Sequence, residues 1–197
     1  MVRQREFDKE TALAAAMEQF WEKGYEATSL SDLTSRMGIQ RPSLYAAFGD
    51  KRELFEAALR AYTHRHTSSI RTKLHNRPSA KEAIRGVFED IVSEGYGKDG
   101  DNQGSRGCFC INTMVELAPH DVKFEVLTRE HQMYLSALFQ ETIERGVRSG
   151  ELEPAANAKA LAQTLVVSLI GLTVMLKSQP DRTFVANTIE TTLSLLK

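Results

Sequence analysis

The chain of 197 residues is 42% hydrophobic and 26% charged, the make-up of a soluble globular protein with room for one large or two small domains, not of a disordered or fibrous chain. A formal net charge of −1 argues against indiscriminate polyanion binding and leaves a local nucleic-acid site open. The opening MVRQREFDKE has no apolar run of the kind a secretory leader needs, and two cysteines fit a reducing cytoplasm better than a disulfide framework.

Helical periodicity then runs the length of the chain. Leu13, Met17, Phe20 and Trp21 share one face of a first helix, capped by Asp8 and stopped at Gly24. Ser29-Leu-Ser-Asp32 is a variant capping box opening a second helix that ends at Gly38. A third, short helix spans Arg41 to about Phe48, with Pro42 in its first turn and Gln40 as its expected cap. Asp50-Lys-Arg-Glu53 opens a long helix through Leu54, Ala58, Ala61 and Tyr62 to about His75. Ser79-Ala-Lys-Glu82 caps the next, which buries Ile84, Val87, Phe88 and Ile91.

The pattern stops at GYGKDGDNQGSRG, Gly95 to Gly107, whose five glycines mark a loop long enough for a functional role. Helicity returns over Cys108–Ala118, breaks at Pro119, and runs again from about Asp121 to Arg148. Two further helices cover about Ala155–Lys177 and Arg182–Leu196. The apolar stretch Ala160 to Leu176 is interrupted by Gln163, Thr164, Ser168 and Thr173. It is shorter than the ~20 residues of a membrane helix, so a buried helix and no membrane partner are expected. No strand alternation persists. The expected fold is all-α, with about nine helices.

The three segments after Gly24 are a helix, a tight turn at Gly38-Ile39 and a short helix, the arrangement in which the second helix enters a major groove. Leu30, Leu33, Met37, Ile39, Leu44 and Phe48 supply a small core at fitting spacing. A helix this short is not stable alone, so the rest of the unit must hold it. Arg pairs bidentately with guanine and Gln with adenine, so Gln40 and Arg41 are candidate readers. Ser43 lies one turn in, and Tyr45 and Lys51 can reach phosphates. From Ser35 to Arg52 the bases Arg36, Arg41, Lys51 and Arg52 face one acid, Asp50. Any one of these residues alone reads as solvated surface; the set at this spacing points to DNA.

The run Gly24-Tyr-Glu-Ala-Thr-Ser-Leu-Ser-Asp-Leu33, then Met37-Gly-Ile39, then Ser43-Leu-Tyr-Ala-Ala-Phe-Gly-Asp-Lys-Arg-Glu-Leu54 resembles the DNA-binding domain of the TetR family. The resemblance implies that Thr28 and Ser29 cap the first motif helix beside the DNA backbone. It also implies that Gln40, Arg41, Pro42 and Ser43 face the groove, and that Tyr45 and Lys51 hold phosphates. Gln40-Arg41-Pro42 departs from the small residue, Lys and Gly of many members, which leaves the base sequence open. The implied division is a helix-turn-helix DNA-binding domain over 1–50 and a helical ligand-binding and dimerisation domain over 51–197. The implied partners are a double-stranded operator, a small-molecule inducer and a second copy of the chain.

In the second half, Leu161, Leu165, Ser168 and Leu172 share a helix face with Gly171, and Val185, Ile189 and Leu193 recur on the last helix. These are the expected dimer contacts, since a twofold dimer reads two half-sites. Gly107-Cys-Phe-Cys-Ile-Asn-Thr-Met-Val-Glu-Leu-Ala118 is similar to a TetR subgroup with Gly-Cys, Asn and Glu-Leu at these steps. The family's fold makes Cys108, Phe109, Asn112, Met114, Glu116, His131, Tyr134 and Phe139 the candidate ligand contacts, although apolar residues at helical spacing chiefly build cores.

Cys108, near a helix start and after the glycine loop, is a candidate electrophile or redox sensor; plain packing is the competing reading. His64 and His66 are two residues apart and His120 and His131 lack a chelating step, so no metal is expected. No phosphate loop, nucleophile elbow or zinc signature is present, so neither an enzyme nor a cofactor is expected. The sequence reads as a cytoplasmic, ligand-responsive repressor that binds a near-palindromic operator as a dimer. A Cys108-based sensing repressor and a helical interaction protein without specific DNA binding are the alternatives.

Overall fold

The computed structural model describes residues 7–97, 105–154 and 157–197. Among them lie nine α-helices and no strand: α1 (Lys9–Lys23), α2 (Leu30–Met37), α3 (Arg41–Phe48), α4 (Lys51–His75), α5 (Ala80–Tyr96), α6 (Phe109–Glu116), α7 (Val122–Arg148), α8 (Ala158–Met175) and α9 (Arg182–Leu193). A 3-10 turn, Leu176–Ser178, follows α8. The expected all-α class and helix order hold. Most of the glycine-rich segment lies outside the described residues.

Local devices start and stop the first helices. Asp8 caps α1 through the Glu10 amide, and Gly24, at φ 82°, ends it. Both expected capping boxes form: Ser29 with Asp32 at α2, and Asp50 with Glu53 at α4. Gly38 closes α2 in the left-handed region at φ 67°, where a side chain would be strained. Gln40 is the N-cap residue of α3, but its side chain makes no cap bond, contrary to the sequence reading. Its amide group is therefore left for other partners.

Two hydrophobic clusters organise the packing. One gathers Phe20 of α1, Leu33 of α2, Leu44 of α3, Phe55 and Leu59 of α4, Phe109 of α6 and Phe124 of α7. The other gathers Ile84 and Phe88 of α5, Phe139 and Ile143 of α7, Leu165 and Leu169 of α8, and Val185 and Leu193 of α9. Helix α4, ~37 Å long at 1.5 Å per residue, sends Leu54, Phe55, Ala58, Leu59 and Tyr62 into the first cluster and Ile70 and Leu74 into the second. Ala61, between Leu59 and Tyr62, is exposed. Ile170 of α8 packs against both clusters.

The helical run Ala158–Ser178 reaches 21 residues at mean hydropathy 1.8, long and apolar enough to cross a membrane by length and composition. The sequence reading had it too short. Its inner side, Ala162, Leu165, Val166, Leu169 and Leu172, is buried in the second cluster, while Val167, Val174 and Met175 are exposed.

Glu151, in the turn after α7, closes the N-terminus of α5 from outside. Its carboxylate accepts from Ser79 Oγ at 2.5 Å, from the Ala80 amide at 2.7 Å and from the Lys81 amide at 3.0 Å. Partial burial alone would raise this carboxyl, but those three donors outweigh it and hold it below the usual value. A depressed carboxyl contributes stability above its unfolded value, ~4.3, and loses it as pH falls through the folded value. Glu151→Ala is expected to cost about 1–2 kcal/mol at pH 7 in urea unfolding, with the gap to the parent protein narrowing below about pH 4.

Candidate nucleic-acid interface and ligand cavity

Helix α3 buries one residue, Leu44, while Gln40, Arg41, Pro42, Tyr45 and Ala46 are exposed. Its sequence RPSLYAAF contains no acid. Leu33, Met37 and Ile39 lie buried beneath it. The result is an outward ridge beginning with an amide, a guanidinium and a hydroxyl. Ser43 is half-buried and Tyr45 is 48% exposed. Lys51 starts α4 beside this ridge, its Nζ 4.3 Å from the centre of the Tyr25 ring. Ser29 is exposed, with its hydroxyl 2.7 Å from Asp32 Oδ2. Thr28 departs from the expectation: it is 1% exposed, and its hydroxyl donates to the Gly24 carbonyl at 2.6 Å. It shapes the turn before α2 and offers no side-chain atom to a phosphate.

A cavity of about 360 Å³ opens between the two clusters, within the size range of small-molecule sites. Trp21 of α1, Tyr62 and His66 of α4, Ile91 of α5, Cys110 and Ile111 of α6, His131 of α7 and Leu169 of α8 contribute to its wall. Of the eight candidate contacts, Cys108, Met114 and His131 line it. The other five do not. Phe109 is buried among Trp21, Phe55 and Tyr62. Asn112 bridges the Arg106 carbonyl at 2.9 Å and Lys177 at 3.0 Å. Tyr134 is on the surface with Arg71, and Phe139 is fully buried in the second cluster.

Glu116 has a different place. From the end of α6 its carboxylate accepts from the Tyr25 amide at 3.1 Å and the Glu26 amide at 3.0 Å. Both amides belong to the turn between α1 and α2. Gly24 is needed there twice over, for its positive φ and because a Cβ would sit 3.1 Å from the Glu116 oxygens. Helix α6 thus touches the cavity through Cys110, Ile111 and Met114 and the α1–α2 turn through Glu116.

Sequence reasoning missed Tyr62, His66 and Trp21 as cavity residues. His66 and His131, 65 positions apart on two helices, bring their rings to 5.2 Å; no spacing rule within one helix reveals such a pair. Among the described residues no three His, Cys, Asp or Glu side chains gather into a set able to hold a metal. Both cysteines are free and buried. Burial raises the Cys108 thiol despite the Tyr62 hydroxyl, which donates to its sulfur at 3.2 Å. Burial, then the neighbouring Cys108, raises Cys110 as well.

The expected dimer contacts also separate. Leu165, Leu172, Val185, Ile189 and Leu193 are buried inside this chain, Leu161 and Ser168 are half-buried, and Gly171 is exposed. Among the described residues, outside the adjoining turns of its own helix, nothing lies within 4 Å of a Cβ built on Gly171. The apolar residues facing outward are instead Val167, Val174 and Met175 of α8 and Phe184 of α9, with Leu195 just beyond it. The apolar residues of those predicted rows on α8 and α9 lie mostly inside this chain.

Residues 12–58 match the family model for bacterial regulatory proteins of the tetR family, and residues 80–192 match that for the tetracyclin repressor-like C-terminal domain. The chain is 34% identical over 197 residues to the uncharacterized HTH-type transcriptional regulator YezE of Bacillus subtilis (strain 168), covering 100% of both. It is 34% identical over 174 residues to the HTH-type transcriptional repressor ComR of Escherichia coli (strain K12), covering 87% of this chain and 80% of that one. Among solved structures, a cysteine mutant of the TetR family transcriptional regulator CifR, complexed with 26bp double-strand operator DNA, is 33% identical at a TM-score of 0.83, with 98% of each chain covered. Reduced E. coli NemR has a TM-score of 0.86 at 15% identity, with 96% of each chain covered, a likeness of fold alone.

The thiol geometry has a measurable consequence. Buried, uncharged sulfurs react slowly, so in native protein at pH 8 neither cysteine should react with Ellman's reagent on the timescale of a free thiol. Both should react at once in guanidinium. Rapid native labelling of Cys108 would show a thiol more open than this packing allows.

Proposed function

The chain belongs to the TetR family of bacterial transcriptional regulators, and from that membership we propose that it is a dimeric repressor released from a near-palindromic operator by a small molecule. The observation that carries the DNA half is the exposed, acid-free ridge of α3. Gln40 and Arg41, with Pro42 and Ser43 beside them, would lie against base edges in the major groove. Tyr45, Lys51 and the Ser29 helix start would meet phosphates. The operator complex of the related CifR variant and the repressor description of ComR support this reading. In it, residues 1–50 are the reading head and residues 51–197 bind the inducer and the second subunit.

A second copy is the natural cover for the apolar side chains that α8 and the last helix turn outward, Val167, Val174, Met175, Phe184 and Leu195. The inducer would occupy the cavity under α6. A shift of α6 or α4 would then reach the reading head through Glu116 and the α1–α2 turn, or through Lys51 at the start of α4. A thiol-sensing repressor built on Cys108 is less well supported, because the sulfur is buried and uncharged.

Three measurements test the reading. On operator fragments selected from genomic DNA, Arg41→Ala should cost about 1–3 kcal/mol and relax one base position; equal loss on all sequences would remove it as a reader. Lys51→Ala should weaken all sequences alike and make the salt slope shallower by about one. Charging the outer face with Val167→Glu and Val174→Glu should convert dimer to monomer in light scattering and weaken operator binding by roughly tenfold or more. Failure of the parent protein to select any sequence would favour a helical interaction protein instead.

A further inference from the structure

Resting on the reading of the cavity as the inducer site, we propose that its ligand is an uncharged molecule whose hydroxyl or carbonyl oxygen sits between His66 and His131, with an apolar body against Trp21, Tyr62 and Leu169. His131 is 6% exposed, and neither of its ring nitrogens has a partner among the described residues. The Nδ1 of His66 is likewise buried without one. Both side chains line the cavity, with ring centres 5.2 Å apart and planes inclined at 51°. Buried polar atoms are almost always hydrogen-bonded, so three in one place mark where a ligand's polar atom belongs.

The charge of that atom follows from what surrounds the pair. Burial first, then the Lys73 charge, lowers His66 to about 4, and burial and His66 together lower His131 to about 3. Both rings are therefore neutral at pH 7, each with one donor and one acceptor. The Tyr62 hydroxyl gives its proton to the Cys108 sulfur, and both thiols are held in the protonated form. Among the described residues the formal charges of the wall are Glu94 and Arg106, both exposed at its edge. Arg106 is paired with Glu18 at 2.5 Å and lies over the Trp21 ring. A carboxylate or ammonium set between the imidazoles would lose its water with no counter-charge in contact among the described residues, Lys73 being paired with Asp90 at 2.7 Å. An alcohol can both donate to one ring and accept from the other, and a ketone can accept. Of the remaining wall, Ile91, Ile111 and Ile170 offer an apolar body contact, while Thr173 gives its hydroxyl proton to the Leu169 carbonyl at 2.7 Å and Gln132 its side-chain N–H to the Met114 sulfur.

Calorimetry on the full chain without DNA, at pH 7.5, tests this with probes sharing one body: 4-ethylbenzyl alcohol, 4′-ethylacetophenone, 4-ethylbenzoate, 4-ethylbenzylamine and 4-ethyltoluene. The alcohol or the ketone should bind at least tenfold more tightly than the carboxylate, the amine and the hydrocarbon. His131→Leu should remove that advantage while leaving 4-ethyltoluene bound as well or better, which a merely structural defect would not do; His66→Leu provides the same comparison should the first variant not fold. Equal or tighter binding of either charged probe, an undiminished preference in the variants, or no binding of any probe up to its solubility would overturn the proposal. Operator release is read separately, so an alcohol that binds as expected without releasing DNA would refute the inducer role and leave the cavity's chemistry standing.

Discussion

Phe55 is the residue on which the two halves of the chain turn. Its ring meets Phe20 at 4.8 Å, Tyr25 at 5.1 Å, Phe109 at 5.2 Å and Phe124 at 5.3 Å, each edge to face. Those partners come from α1, the α1–α2 turn, α6 and α7. Edge-to-face pairs contribute about 0.5–1.5 kcal/mol each beyond the area they bury, and four around one ring leave little freedom to slide. The bidentate pair of Arg52 with Asp121, at 2.9 and 3.0 Å, pins the starts of α4 and α7 alongside. The proposed reading head is therefore not a bead on a linker. Its core is closed by helices that also wall the cavity.

This explains how α3 can be so short. Eight residues cannot hold a helix in water, and α3 buries only Leu44 to anchor itself. Its geometry comes from its neighbours: the Gly38 turn on one side, and on the other Gly49, whose amide bonds the Tyr45 carbonyl at 3.0 Å, followed by the Asp50 capping box. A helix fixed from both ends need not spend its outer face on stability, so Gln40, Arg41 and Tyr45 stay exposed.

What could be read in the sequence tracks how local the determining interaction is. Asp8, Ser29 and Asp50 act on amides two or three residues away, so the helix starts were legible. The fate of Thr28 was not, since only the folded turn sends its hydroxyl back to Gly24 rather than out. Helix α8 is apolar nearly all round, so periodicity could not say whether Leu165 or Val167 faces the core. The cavity was least legible of all. His66 and His131 meet across α4 and α7, while Phe109 and Phe139, equally plausible from composition, fill cores. Aromatic identity carries no sign of which side of a helix will be covered.

The link between cavity and head also escapes any motif, because half of it is backbone. Glu116 holds the Tyr25 and Glu26 amides, groups that every residue but proline possesses. For the proposed regulation, binding at the cavity must favour one arrangement of α6 over another, and coupling of 1–3 kcal/mol is typical of such switches. A hydrogen bond to a charged group contributes about 1.5–3 kcal/mol when sheltered, and less at a half-exposed carboxylate such as this. Weakening the two Glu116 bonds therefore falls in the required range without any larger rearrangement. Because Tyr25 also packs on Phe55 and lies under Lys51, a turn released by Glu116 would disturb the ring cluster and the proposed phosphate contact together. On this view the proposed reading head responds through its α1–α2 turn, while α3 itself stays intact.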